Sequence, residues 1–367
     1  MREYNPDLIT TLQTDNHQMI VEGQPIQIKR VPYESRAGYP DPRFLASMLE
    51  QAKQMAGQPA IDFAQLTVDQ MRQSMGSPNR NLNTIELVTR FETLDFGCNQ
   101  VGLWIYTPRK PFGKKDRPVM IFFHGGGFIG GSPFAVENDC RLLAELADAV
   151  VVNVDYSLAP EKPFPNGLND CYNVVCHIHD HAADYGIDPA RIAVGGDSAG
   201  GNLAAACAWK AHALGRDLIR YQALIYPAVL LGSEPFPGFD WRIDDFEIAS
   251  EYRGLLEPVV RGFQPHEGEE APFDTMYVQD VQDFASPLVS PLRAPDLTIF
   301  PKTLVATAEY DGLRVMGELF GRRLQAAGVP TRVIRYNGVG HAFIDSIGLL
   351  PQAEDLMLEI ARDLKAL

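Results

Sequence analysis

Gly196-Asp197-Ser198-Ala199-Gly200 joins a short apolar segment, residues 191–195, to an alanine-rich segment that begins at residue 202. The apolar segment predicts a buried strand, and the alanine-rich segment predicts a helix. Glycines at such a join let the strand and the helix pass close together, because a Cβ would collide there. The tight turn holds its central residue, Ser198, at the tip in a strained backbone conformation. An ordinary serine in a glycine-rich turn is the alternative interpretation.

The composition is that of a globular protein with a sizeable core, since 46% of the 367 residues are hydrophobic. This length favours one core domain with an attached subdomain. The formal net charge of −15 argues against nucleic acid and anionic membrane surfaces as partners, because both require a positive face. The composition leaves open whether the chain is a monomer or a homodimer.

The cysteines and the N-terminus indicate a compartment. Five cysteines stand singly, without a C-x-x-C pair, which favours a reduced intracellular chain. The first residues lack the apolar run of a signal peptide, and no run of about 18 apolar residues is present to span a bilayer. The sequence therefore predicts a soluble, cytoplasmic protein without integral membrane association.

Strands and helices alternate from residue 85 to residue 335. A hairpin is predicted over 85–94 and 101–106, and later strands over 119–123, 149–154, 191–195, 221–226, 302–307 and 331–335. Helices are predicted over 141–147, 170–185, 201–214 and 316–327. This alternation predicts an α/β fold with a mostly parallel central sheet flanked by helices on both faces.

Two segments stand outside this alternation, residues 1–80 and residues 232–285. The first contains helical patterns that are too short to fold alone. The second has 13 Asp and Glu residues against three Arg, with a helical pattern over 248–263. We expect these segments to form one helical cap over the carboxyl edge of the sheet. Residues 81–231 and 286–367 are then the core.

A serine at such a turn acts as a nucleophile only with a base within hydrogen-bond reach and an acid that orients the base. In folds with this kind of turn, the acid and then the histidine follow the serine along the chain. His341, in a glycine-rich loop after the last predicted strand, is the candidate base. Asp311 is the candidate acid, because it follows a predicted strand and emerges at the same sheet edge as Ser198. Glu309 and Asp345 are the alternatives.

A site for a developing negative charge is predicted in His124-Gly125-Gly126-Gly127, directly after the apolar strand over 119–123. Consecutive glycines present bare backbone N–H groups, which stabilise an oxyanion. The predicted donors are the N–H groups of Gly125, Gly126 and Ala199. His124 itself is expected to brace the loop.

Three histidines on one predicted helix, His177, His179 and His181, raise the question of a metal site. His177 and His181 are one helical turn apart, but His179 points away from both, and the spacing implies no acidic ligand. We therefore expect neither a metal nor an organic cofactor.

Six motifs occur in order along the chain: HGGG at 124–127, Asp155-Tyr156-Ser157-Leu158-Ala159-Pro160-Glu161, GDSAGG at 196–201, Ser286-Pro287-Leu288, Glu309-Tyr310-Asp311 and His341-Ala342-Phe343. Together they resemble the hormone-sensitive-lipase group of carboxylesterases, of the bacterial family IV type. The resemblance implies an α/β-hydrolase fold, a cap formed partly by the N-terminal segment, and short-chain acyl esters as substrates. Two departures are Ser157, where the group usually has arginine, and Gly312-Leu313-Arg314-Val315-Met316, where it favours Pro-Leu-Arg-Asp-Glu.

The expected activity is that of a serine carboxylesterase that hydrolyses short- to medium-chain acyl esters through an acyl-enzyme. An amidase or deacetylase on the same residues is one alternative, because ester and amide cleavage share their first step. A non-catalytic hydrolase-like receptor is another, although such receptors typically lack the histidine that is present here as His341. The acidic segment should repel anionic substrates and so favour small neutral esters.

Overall fold

A computed structural model describes residues 1–367 apart from 16, 56–65, 111–114, 266–267 and 269. The strands are β1 Gln18–Val21, β2 Gln24–Lys29, β3 Leu87–Asp95, β4 Gln100–Pro108, β5 Arg117–Phe123, β6 Val150–Asp155, β7 Ile187–Asp197, β8 Tyr221–Ile225, β9 Lys302–Tyr310 and β10 Thr331–Gly340. The helices are α1 Asp7–Thr14, α2 Pro42–Met55, α3 Val68–Gln73, α4 Glu137–Ala147, α5 Asn166–Asp180, α6 Ala182–Tyr185, α7 Ala199–Ala213, α8 Arg253–Arg261, α9 Pro272–Tyr277, α10 Arg314–Ala326 and α11 Pro351–Lys365.

The strands form one sheet in the order β1-β2-β10-β9-β8-β7-β5-β6-β4-β3. Neighbouring strands from β2 through β10, β9, β8, β7 and β5 to β6 are parallel, and the pairs β1–β2, β6–β4 and β4–β3 are antiparallel. All seven residues of β5 are buried, as expected of a central parallel strand covered on both faces. The predicted α/β fold with a mostly parallel sheet is confirmed.

Side chains of β5 alternate between two apolar layers. Val119 and Phe123 lie in the layer that contains α5, α7 and α10, whereas Met120 and Phe122 lie in the layer that contains α4 and α11. The helices on both faces connect consecutive strands, so the central strands all run in the same direction. The carboxyl ends of β5, β7, β9 and β10 therefore meet at one edge of the sheet.

The N-terminal segment differs from the prediction. Strands β1 and β2, over 18–29, extend the core sheet, and β2 pairs in parallel with β10. Lys29 is fully buried at the end of β2, where its ammonium group binds Glu359 at 2.9 Å and Asp355 at 3.3 Å, both on α11. Because the strand ends in a buried, ion-paired lysine, it lacks the continuous apolar pattern that predicts the other core strands. The assignment of all of residues 1–80 to a cap is thereby corrected for 18–29.

The acidic segment 232–285 contributes α8 and α9 and builds a small apolar cluster of its own. Phe246, Leu256 and Val260 pack there against Tyr310, the last residue of β9, and Phe44 of α2 packs against the same cluster. The predicted helix over 248–263 begins only at Arg253. Residues 56–65, 266–267 and 269 of the two predicted cap segments lie outside the described residues.

No helix in the described part of the chain combines the length and the apolar character that a membrane crossing requires.

Candidate active site

The turn between β7 and α7 holds Ser198 with φ 54° and ψ −116°, a conformation that L-residues rarely adopt. A Cβ on Gly196 would overlap the backbone of Gly200, and a Cβ on Gly200 would overlap the carbonyl oxygen of Phe123 at the end of β5. Glycine is therefore required at both positions by the close approach of β5, β7 and α7. This packing raises the Ser198 hydroxyl at the carboxyl edge of the sheet.

Three of the predicted site residues lie in one hydrogen-bonded line. His341 Nε2 is 3.0 Å from Ser198 Oγ, and His341 Nδ1 is 2.7 Å from Asp311 Oδ2. Asp311 is fully buried directly after β9, and its second oxygen accepts the N–H of Leu313 at 2.9 Å. With Nδ1 directed at a carboxylate, the imidazole carries its proton there and leaves Nε2 to accept the serine proton.

In the described part of the chain, neither alternative acid bonds to the His341 ring. Glu309 accepts the N–H of Gly338 at 2.7 Å, and burial raises the pKa of Glu309 to about 7. Asp345 lies in the helical turn Phe343–Ser346, and burial raises the pKa of this carboxyl, with the charge of Asp197 adding to the effect. Among the described residues, Asp311 is the carboxylate that bonds to the His341 ring.

The glycine loop after β5 corrects one predicted oxyanion donor. The N–H of Gly125 donates to Asp197 Oδ1 at 2.8 Å, within the core. Gly125 is therefore committed to that carboxylate and its N–H does not face a substrate. In the part of the chain that the structure describes, the N–H groups of Gly126 and Gly127 donate to no acceptor. Ala199 is the first residue of α7, so its N–H has no partner within the helix.

The glycine loop is held from below by two buried side chains. His124 stacks on Tyr156 with ring centroids 4.4 Å apart, and the Tyr156 hydroxyl donates to the His124 carbonyl at 2.7 Å. Burial lowers the pKa of His124 to about 4, although its contact with the Gly125 carbonyl opposes this shift. His124 is therefore neutral near pH 7 and braces the loop. Burial raises the pKa of Asp197 to about 6, although the hydrogen bond from the Gly125 N–H opposes this shift.

The three histidines of α5 and its C-terminal end make other contacts. His177 Nε2 lies 3.1 Å from the Tyr185 hydroxyl, and the rings of His177 and His181 stack 4.1 Å apart. His179 contacts its neighbour Asp180 at 2.8 Å. Within the described ranges, no group of three or more His, Cys, Asp or Glu side chains is arranged to hold a metal ion.

Cap residues that the sequence did not identify also reach the site. The Phe263 ring, just after α8, lies 4.3 Å from the His341 ring, and Phe273 of α9 lies 3.1 Å from the position of a Cβ on Gly127. Arg72 of α3 donates to the Ile129 carbonyl at 2.6 Å, beyond the glycine loop. A sequence pattern does not reveal such contacts, because each joins an irregular cap segment to a loop far away along the chain.

The comparisons with known proteins agree with the observed fold and with the resemblance drawn from the sequence. Residues 120–345 match the model of a family described by its α/β-hydrolase fold. Esterase LipI of Mycobacterium tuberculosis is 34% identical over 71% of this chain and 77% of its own length. An arylesterase of Saccharolobus solfataricus is 36% identical over 67% of this chain and 74% of its own length. A solved arylesterase structure superposes with a TM-score of 0.72 at 30% identity, covering 89% of this chain and 98% of that one. The chain belongs to the α/β-hydrolase fold family, in its hormone-sensitive-lipase group of esterases.

Proposed function

We propose that this chain is a serine carboxylesterase that hydrolyses short- to medium-chain acyl esters through an acyl-enzyme. The observation that carries the proposal is the line from Ser198 Oγ through the His341 ring to Asp311, with distances of 3.0 and 2.7 Å. A serine hydroxyl with a neutral imidazole at hydrogen-bond distance, and a buried carboxylate behind that imidazole, is the arrangement that activates serine for acyl transfer.

In the first half of the reaction, His341 Nε2 takes the Ser198 proton while Oγ attacks the ester carbonyl carbon. The carbonyl oxygen becomes an oxyanion, and the protonated imidazole is stabilised by Asp311. His341 then gives the proton to the leaving alcohol oxygen as its bond to carbon breaks, which leaves an acyl-serine. In the second half, water gives a proton to His341 and attacks the acyl carbon, and the carboxylic acid leaves as Ser198 Oγ regains its proton.

The proposed oxyanion donors are the N–H groups of Gly126, Gly127 and Ala199. Gly127 replaces Gly125 because the N–H of Gly125 is held by Asp197 at 2.8 Å. Preorganised donors of this kind are each worth about 10²–10³ in rate.

The charge and the thiols support two further parts of the proposal. The net charge of −15 favours neutral esters over carboxylate-bearing ones, an effect that salt should weaken. All five cysteines are free thiols, which suits a reducing, cytoplasmic compartment.

The test compares Ser198→Ala with Ser250→Ala, a variant of an exposed serine in the cap. With p-nitrophenyl butyrate, Ser198→Ala should lower kcat about 10⁴-fold or more, and Ser250→Ala should leave it unchanged. Wild-type turnover by Ser198→Ala would refute the proposal. Faster cleavage of p-nitrobutyranilide than of the matched ester would indicate an amidase, and ligand binding without turnover by the wild-type chain would indicate a receptor.

A further inference from the structure

Gly312, directly after Asp311, lies where the cap contacts the floor of the site, which is formed by the loops that follow β5, β7, β9 and β10. A Cβ at this position would be 2.5 Å from the Val260 carbonyl oxygen of α8 and 2.8 Å from the Phe263 Cβ. The φ of Gly312 lies outside the left-handed region, so the requirement for glycine comes from the lack of space. Any side chain here would push the end of α8 away from the Asp311 loop.

Two hydrogen bonds hold the cap segment on this loop. The Trp241 indole N–H donates to the Gly312 carbonyl at 3.0 Å, and the Arg314 guanidinium donates to the Asp245 carbonyl at 2.7 Å. Arg314 is buried, with its guanidinium 4.3 Å from the centre of the Phe246 ring. The position of the cap segment is therefore tied to the residues that follow the catalytic acid.

The consequence of this tie is the position of Phe263. The centres of its ring and of the His341 ring lie 4.3 Å apart, and 36% of the residue remains exposed to solvent. His341 gives its proton to the leaving alcohol, and the alcohol part of an ester must therefore lie beside this ring. Phe273 packs instead over Gly127, on the side of the acyl carbonyl.

We propose that Phe263 selects the alcohol part of the ester, favouring aromatic alcohols over small alkyl ones, and that Gly312 is the residue that positions Phe263. This inference rests on the proposed esterase function. An aromatic ring packed on Phe263 gains about 0.5–1.5 kcal/mol beyond the burial of its surface. A gain of this size corresponds to a preference of about two- to twelvefold.

The first experiment measures kcat/KM for benzyl butyrate and ethyl butyrate, which share one acyl group. Phe263→Ala should lower the benzyl-to-ethyl ratio about two- to twelvefold, whereas Phe263→Tyr should retain it. The relative rates of p-nitrophenyl acetate, butyrate and octanoate should stay the same in all three proteins, because the acyl side is untouched. An unchanged benzyl-to-ethyl ratio in Phe263→Ala would overturn the inference.

The second experiment tests the positioning role of Gly312. Gly312→Ala should lower the same ratio as Phe263→Ala does, and the double variant should lower it no further, because both act through one ring. Gly254→Ala is the matched control, since a Cβ on this glycine of α8 has nothing within 4 Å. Equal losses for both esters in Gly312→Ala would mean simple damage to the Asp311 loop and would overturn the positioning role.

One further variant, Trp241→Phe, and the comparison with Ser198→Ala keep the outcomes separable. If Gly312→Ala does not fold, Trp241→Phe decides, because it keeps an aromatic ring beside Phe246 and removes the hydrogen bond to the Gly312 carbonyl. This variant should lower the benzyl-to-ethyl ratio part of the way, and no change would count against positioning. Loss of ester hydrolysis in Ser198→Ala together with an unchanged ratio in Phe263→Ala would reject this inference alone, whereas activity retained in Ser198→Ala would reject the proposed function.

Discussion

The floor of the site and the cap above it are built on different kinds of contact. In the floor, a Cβ on Gly196, Gly200 or Gly126 would run into backbone atoms, which have no room to move. In the cap, a Cβ on Gly238, Gly254 or Gly268 has nothing within 4 Å.

This difference indicates where in the site substitutions are tolerated. The floor depends on backbone segments that pass within van der Waals distance of one another, so a change that displaces one segment displaces the others too. The cap contacts the floor largely through individual side chains such as Phe263 and Arg72. The residues of the proposed chemistry thus lie on the floor, and the selectivity proposed for Phe263 lies in the cap.

Gly200→Ala gives the sharpest test of this difference and the largest expected effect. The added Cβ would overlap the Phe123 carbonyl oxygen and force β5 away from the turn. We expect a free energy of unfolding lower by about 1–3 kcal/mol and kcat/KM lower by about 10²-fold or more. Urea unfolding and p-nitrophenyl butyrate hydrolysis measure both. Gly254→Ala, inside α8, should leave kcat/KM unchanged and should not lower the free energy of unfolding, because alanine is the better helix former. Similar losses in the two variants would contradict the comparison.

Asp197→Ala tests whether the glycine loop depends on its buried acceptor. The substitution leaves the Gly125 N–H unpaired in the core, at a cost of about 1–3 kcal/mol. If the loop shifts to find another acceptor, kcat should fall about 10- to 100-fold with little change in KM. Asp197→Asn keeps an acceptor oxygen in place and should lose less. An equal loss in both variants would show that the charge, and not the hydrogen bond, holds the loop.

Glu309→Gln tests a pH effect of the floor. Burial raises the pKa of Glu309 from 4.5 to about 7, so the folded state holds a proton that the unfolded state has released. Between these pH values the folded chain binds more protons, and stability falls as the pH rises through the window. Above pH 7 both states are ionised and the loss is complete.

The measurement is urea unfolding of wild type and Glu309→Gln at pH 5 and pH 8. The decrease in stability between these pH values should be smaller in the variant by about 1–3 kcal/mol, because glutamine does not ionise. Asp197, whose pKa burial raises to about 6, contributes a decrease of the same sign in both proteins. Glu50→Gln, on the exposed face of α2, is the control and should behave as wild type. Equal decreases in Glu309→Gln and wild type would contradict the prediction.

The strands of the core could be predicted because burial on both faces leaves apolar runs, as in β5. Strand β2 could not, since its buried Lys29 depends on acidic partners on α11 at the other end of the chain. The proximity of Ser198, Asp311 and His341 could be predicted because each residue lies in a loop that follows a parallel strand, and such loops meet at one edge of the sheet.

The sequence does not show which N–H groups of the glycine loop are free. Gly125, Gly126 and Gly127 are three glycines in a row, so the sequence does not distinguish them. Asp197, 72 residues away, accepts a hydrogen bond from the N–H of Gly125. The contacts of Phe263 and Gly312 have no local signature either, because they form between an irregular segment and a strand-end loop. A pattern in a single sequence does not show which distant residues come into contact, and those contacts decide the roles of these residues.

The smallest expected effect concerns Arg72, which links α3 of the cap to the floor. Its guanidinium donates to the carbonyls of Ile129 and Ala159 at 2.6 and 3.1 Å and binds Glu161 at 2.6 Å. The guanidinium that contacts Ala159 and Glu161 thus comes from the cap.

Arg72→Met should loosen α3 and raise KM for butyrate esters about two- to tenfold while kcat stays close to wild type, because the triad is not touched. Glu161→Gln removes only the exposed ion pair, worth about 0–1 kcal/mol, and leaves both carbonyl contacts of Arg72. Its effect on KM should therefore be smaller than that of Arg72→Met. A fall in kcat equal to the rise in KM for Arg72→Met would mean that α3 supports the glycine loop itself, and the boundary between floor and cap would then have to include α3.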